Sequence, residues 1–188
     1  MKPFIRIDRL LVLGILAVIA VWPLAQNAHA GPPAPVVPST LEVQEGNKVF
    51  LVGHAVGVQI YSCNATASGF AWGFVAPSAE LFDDHGKLIA THFAGPTWRA
   101  LDGSFVVGLR AADPFTADPT AVPWLLLSAA STGAGPDGDR LTKTTFIQRI
   151  ATTGGLAPAA ALCTASTAGT TAEVPYTADY YFWKKTGS

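Results

Sequence analysis

From Leu41 onward, short apolar stretches rich in β-branched and aromatic residues alternate with turn signals, and no long window repeats at the helical period. This pattern predicts an all-β chain, an antiparallel β-sandwich or barrel with long loops. Strands are expected over Val49–Val52, Val56–Cys63, Phe70–Val75, Leu88–Phe93, Phe105–Leu109, Trp124–Ala129, Leu141–Ile150 and Val174–Trp183. Asp83-Asp84-His85-Gly86 and Asp102-Gly103-Ser104 read as tight turns, because glycine supplies positive φ and aspartate bonds its own backbone. No internal repeat is present.

Ahead of this β region stands a different kind of sequence. Lys2, Arg6 and Arg9 give a positive start, Leu10 to Trp22 is an apolar run, and Ala28-His29-Ala30 supplies small residues before Gly31. That order is a secretory signal peptide over residues 1–30, cleaved after Ala30, which makes the mature protein secreted or periplasmic. The apolar run holds about 13 residues where a spanning helix needs about 20, and Pro23 ends it, so no membrane span is expected in the mature chain. Gly31-Pro32-Pro33-Ala34-Pro35-Val36-Val37-Pro38 favours extended polyproline backbone. Residues 31–40 are therefore read as a spacer and 41–188 as a single β domain.

Two cysteines occur, Cys63 and Cys163, and an even number in an exported chain predicts a structural disulfide rather than a reactive thiol. The bridge would close a loop of about 100 residues, for which chain entropy gives about 4.7 kcal/mol. Removing Lys2, Arg6, Arg9 and Asp8 with the leader takes the 12 basic and 13 acidic residues to 9 and 12, so there is no basic footprint for nucleic acid. Met1 is the only methionine, which leaves no thioether ligand for cuprous copper. The remaining chain of about 158 residues can bury roughly two-thirds of its extended surface as one domain.

Several segments invite a chemical reading. In Phe70-Ala71-Trp72-Gly73-Phe74 the rings share one face, as do Tyr176, Ala178, Tyr180 and Phe182, and Gln59, Tyr61 and Cys63 line a third. Core packing is the expected use of these faces; the alternative is an aromatic-lined cleft for a sugar or another small ligand. Gly133-Ala134-Gly135-Pro136-Asp137-Gly138 has dinucleotide-loop spacing but is followed by alternating β-branched residues instead of a helix, so a hairpin loop is expected. No nucleophile elbow, zinc-binding helix motif or paired-cysteine site occurs, and no catalytic residue, metal ligand set or cofactor is assigned. Two weaker readings centre on His92: a metal held with His85 and a carboxylate, and a hydrolytic triad with Asp102 and Ser104. Asn64-Ala65-Thr66 matches a glycosylation acceptor.

A set of ordered motifs carries more. His92-Phe93-Ala94-Gly95-Pro96-Thr97-Trp98, Asp102-Gly103-Ser104, Pro123-Trp124-Leu125-Leu126, Gln148-Arg149-Ile150-Ala151-Thr152-Thr153-Gly154-Gly155 with Pro158 and Cys163, and Tyr176-Thr177-Ala178-Asp179-Tyr180 follow one another, after Gln59-Ile60-Tyr61-Ser62-Cys63. Over about Val49 to Trp183 the chain resembles the exported proteins grouped as domain of unknown function 3455. The resemblance implies the β fold and the Cys63 to Cys163 pairing, and no established activity. Some fungal relatives carry a malate dehydrogenase label. A nicotinamide enzyme of that kind needs strand, glycine loop, helix and ribose-binding acid in one βαβ unit, and the sequence has none.

The polar and aromatic residues inside those motifs are the candidate ligand-binding residues: Gln59, His92, Trp98, Asp102, Ser104, Gln148, Arg149 and Tyr180. Each also has a structural use: Asp102 and Ser104 as turn caps, Arg149 paired with a carboxylate across strands, Gln148 on buried backbone, Trp98 as core. The aromatic content and the lack of a catalytic motif favour a non-enzymatic envelope or secreted domain that binds a small molecule, glycan or protein. The alternative is an extracytoplasmic hydrolase or metalloenzyme centred on His92.

Overall fold

The computed structural model describes Met1 and residues 31–188; the leader reading falls on residues outside those described. Eight antiparallel strands follow in chain order: β1 (Asn47–Thr66), β2 (Gly69–Phe82), β3 (Leu88–Phe93), β4 (Thr97–Ala100), β5 (Phe105–Arg110), β6 (Leu125–Gly133), β7 (Thr144–Gly154) and β8 (Thr171–Lys185). Each pairs with the next and β8 returns to β1, so the sheet is a closed barrel with no free edge around its girth. Among the described residues no helix is long and apolar enough to cross a membrane.

The eight strands are not the eight expected. Val49–Val52 and Val56–Cys63 belong to the single strand β1. Gly53 and Gly57 interrupt the apolar pattern without interrupting the strand, because they sit where β2 presses close: a Cβ on Gly57 would lie 2.5 Å from Ala79 Cα, and one on Gly53 2.9 Å from the Leu81 side chain. β4 was not expected, since four residues between two turns leave no readable alternation. β7 starts at Thr144 rather than Leu141. Leu141 is buried in the preceding turn, where its N–H donates to Ser104 Oγ at 3.1 Å.

The barrel is filled along much of its length by Leu51, Leu81, Ile89, Val106, Leu127, Ile147, Trp98 and Phe182. The β8 face of Tyr176, Ala178, Tyr180 and Phe182 is core, as its alternation implies. A smaller cluster lies outside the main core. There the Gln148 amide donates to Leu41 O at 2.7 Å and accepts from Trp183 Nε1 at 2.8 Å, docking the 3-10 turn Ser39–Leu41 against the barrel wall.

Cys63 and Cys163 are bonded, their Cα atoms 5.3 Å apart. The bridge ties β1 to the segment between β7 and β8, and the Cys63 N–H also donates to Thr170 O at 2.9 Å. On the other flank of β1, His54 joins two carboxylates, Asp179 at 2.7 Å from Nδ1 and Asp84 at 2.8 Å from Nε2. These hydrogen bonds, Asp84 first, hold the imidazole above its ordinary range and fasten the Asp83–Gly86 turn to the barrel.

Candidate functional site at the barrel mouth

One end of the barrel is open, and a break in strand pairing shapes it. Ile60 faces Ala76 and Tyr61 faces Phe74, so Val75 has no partner on β1. This β-bulge turns two consecutive apolar side chains, Phe74 and Val75, to the same opening. Both are more than half exposed. The opposite lip is the β3–β4 turn at Gly95-Pro96, and the wall between carries Gln59, His92, Trp98, Leu125, Leu127, Arg149 and Tyr180. The cavity holds about 270 Å³, room for roughly nine waters at their liquid volume.

His92 is 3% exposed and stacks on Trp98 with centroids 4.2 Å apart and planes 6° from parallel. Tyr180 meets both rings edge-on, at 5.2 and 5.3 Å. His92 Nδ1 lies 3.0 Å from Thr97 O, and since a carbonyl only accepts, the ring proton sits on Nδ1 and Nε2 is left as an acceptor. Burial pushes the imidazole down to about 3, with the Arg149 charge acting in the same direction. The unfolded chain, with its histidine near 6.5, binds a proton below that pH that the barrel refuses. Stability should therefore fall as pH drops from 6.5 toward 3, by roughly 1.4 kcal/mol per pH unit from this group. Urea midpoints between pH 7 and 4 should decline more steeply in wild type than in His92→Asn; parallel slopes would refute this.

Arg149 stands opposite Tyr180 across the β7–β8 ladder. Its Nε and Nη2 both donate to Pro123 O, at 3.2 and 2.8 Å. The ion pairs among the described residues are those of His54, so no carboxylate neutralises this guanidinium. The Tyr176 and Tyr180 hydroxyls lie 3.4 Å apart, and burial raises both, keeping them protonated. Gly155, at φ +78°, packs closely against Gln59 and Tyr176: a Cβ there would meet Tyr176 Cβ at 2.8 Å and Gln59 Cγ at 3.0 Å. Tyr61 Oη donates to the Gly155 carbonyl at 2.7 Å. Two donors on the wall have no partner although both are buried: Gln59 Nε2 and Trp98 Nε1.

Of the candidate residues, Gln59, His92, Trp98, Arg149 and Tyr180 converge on this cavity. Asp102, Ser104 and Gln148 lie elsewhere. Asp102 Oδ1 accepts from Ser104 N at 2.9 Å and Ser104 Oγ at 2.6 Å, while Oδ2 accepts from Arg140 N at 2.9 Å, so this pair staples the β4–β5 turn to the β6–β7 loop. Neither touches His92, and the triad geometry is not formed. His85 sits in an exposed turn while His92 is inside the barrel. No group of three or more metal-ligating side chains comes together among the described residues.

The Phe70-to-Phe74 face also departs from the core expectation. β3 pairs only with Ala79–Phe82 of β2, so the β1–β2 hairpin projects past it and leaves Phe70 and Phe74 exposed. Phe74 lay on the ring face for which a ligand cleft was the alternative to core, and Pro96 and Leu125 fell inside the ordered motifs; Val75, Pro77 and Leu127 were not singled out in the sequence. The bulge has a legible trace: rings fall on even positions through Phe74, but the buried residues that follow are Pro77, Ala79 and Leu81. That change of phase marks an extra residue.

A family model described as a protein of unknown function, DUF3455, matches residues 44–184. No curated protein and no solved structure matches the chain.

Proposed function

The chain belongs to the DUF3455 family of proteins of unknown function, and we infer its role from the site itself: it is an exported, non-enzymatic binding protein that takes one small, largely apolar molecule into the barrel mouth. The observation that carries this reading is the open, largely apolar cavity itself, walled by Gln59, Trp98 and Arg149 among apolar side chains. Two of these wall residues also carry a buried donor without a protein partner, Gln59 Nε2 and Trp98 Nε1, each at a cost of about 1–3 kcal/mol. Phe74, Val75, Pro77, Pro96, Leu125 and Leu127 provide the apolar lining and a few placed polar groups provide orientation, the usual make-up of a ligand site.

Binding suits these groups better than catalysis. His92 is neutral and tied to Thr97 O, the tyrosine hydroxyls are held protonated, and both cysteines are in the disulfide. None of these groups is a nucleophile beside an activating base. Export is supported by the disulfide, which persists in oxidising compartments, together with the N-terminal charge and apolar pattern.

The test is a thermal-shift panel of compact apolar molecules with carboxylate, amide, hydroxyl or amine heads, with simple sugars beside them. Wild type is compared with Val75→Trp, which fills the opening from an exposed, unpaired position that the fold can spare. At a hundredfold excess over Kd a ligand stabilises by about 2.7 kcal/mol, or about 5–10 °C in Tm for a chain of this size. At least one apolar class should do so in wild type and lose most of the shift in Val75→Trp. A flat panel, or equal shifts in both proteins, would discard the reading.

A further inference from the structure

Resting on the binding role above, we infer that the ligand is a small monoanion: a carboxylate on a compact apolar body, its acid group taken by Arg149. A guanidinium has five N–H donors, and two nitrogens of Arg149 converge on a single carbonyl, Pro123 O. It is partly buried, lines the cavity, and has no acidic partner among the described residues. A partly buried charge is stable when it is paired, and no described carboxylate pairs it. Its charge acts on His92 and Tyr180 in the wall and on Tyr61 and Tyr176 nearby.

The neighbouring groups select in the same direction. Trp98 Nε1 is donor-only and unmet, whichever way the Gln59 amide is oriented, and Arg149 gives two of its nitrogens to one carbonyl. Gln59 Nε2 adds another unmet donor. Among the described residues no carboxylate faces the cavity to repel an anion or to hold a cation. A neutral ligand would leave Arg149 unpaired, and an amine would be repelled by it. A carboxylate offers two oxygens matched to the planar guanidinium fork. The body must be small: a cavity of about 270 Å³ takes on the order of ten non-hydrogen atoms. Leu125, Leu127, Pro77 and Pro96 give that body apolar contacts.

The deciding experiment is titration calorimetry of the mature protein with matched pairs, benzoate against benzamide and hexanoate against hexanamide, at low and high salt. Carboxylates should bind at least about tenfold more tightly than their amides, the equivalent of one charge-assisted hydrogen bond, and the preference should shrink with salt. Arg149→Gln should abolish the preference and Arg149→Lys should keep part of it, with circular dichroism verifying the fold of each. If Arg149→Gln fails to fold, the wild-type acid-to-amide ratio and its salt dependence decide alone. Amides that bind as tightly as acids, with entry still blocked in Val75→Trp, would overturn the anion assignment and leave the binding role standing. Absence of binding by every head group would remove both.

Discussion

Trp98→Ala is expected to lower stability by about 3–5 kcal/mol, seen as a fall in Tm of about 6–20 °C for a domain of this length. Trp98 is 1% exposed and is the largest of the fully buried side chains. It stacks on His92 at 4.2 Å and meets Phe182 at 6.1 Å in a perpendicular contact, so it joins the cavity wall to the filled part of the barrel. The space around it is fitted to the ring: a Cβ added at Gly108 would come within 3.0 Å of Trp98 Cζ3. Truncation leaves a void next to an existing cavity, which the closed sheet cannot collapse to fill. Trp98→Phe separates packing from hydrogen bonding. It keeps an aromatic face for His92 and removes the unmet Nε1 donor, so the loss should be well under half that of alanine. Urea unfolding followed by far-ultraviolet circular dichroism, read at constant m, measures both. An alanine variant within 1 kcal/mol of wild type would show that the wall is not held by this ring.

The same residue shows what a sequence of this kind makes legible. Alternation announced the β8 face, and Tyr176, Ala178, Tyr180 and Phe182 are all buried as period 2 requires. An even pair of cysteines, behind an N-terminal pattern that reads as an export signal, announced the bridge. Alternation within each strand does not say how the strands are joined, so sandwich and barrel read alike until the β1–β8 ladder is seen. The Gly53 and Gly57 interruptions looked like strand ends because a glycine that terminates a strand and one that admits a neighbour leave the same gap in the pattern. Five candidate residues converge on the cavity because polar and aromatic groups on inward positions have little else to face. Asp102 and Ser104 were indistinguishable from them in one dimension, since a turn staple and a binding pair use the same side chains. The apolar lip at Phe74 and Val75 depends on a bulge that moves one residue out of register, visible only as a change of phase.

Removing the disulfide as Cys63→Ala/Cys163→Ala should cost about 2–5 kcal/mol, and the location of the loss distinguishes two effects of the bridge. The bonded residues are 100 apart in sequence, and the loop between them contains β2 through β7. If the bridge acts mainly by restricting the unfolded chain, its removal lowers global stability and leaves the native barrel as it was. Yet the bridge also holds the segment after β7 against β1, where Gly155 seals Gln59 and Tyr176 and Trp72 Nε1 donates to Ala159 O at 3.3 Å. Outside these fastenings the segment is exposed, with Leu156 and Leu162 at 40% and 60%. Hydrogen exchange in the double variant should therefore show both a lower global opening energy in β1 and β8 and faster local opening over residues 155–170. Because Gly155 packs directly on Gln59, the local opening should also reduce the thermal shift given by a ligand at the barrel mouth. Unchanged protection across 155–170 would confine the bridge to the unfolded state and separate it from the site.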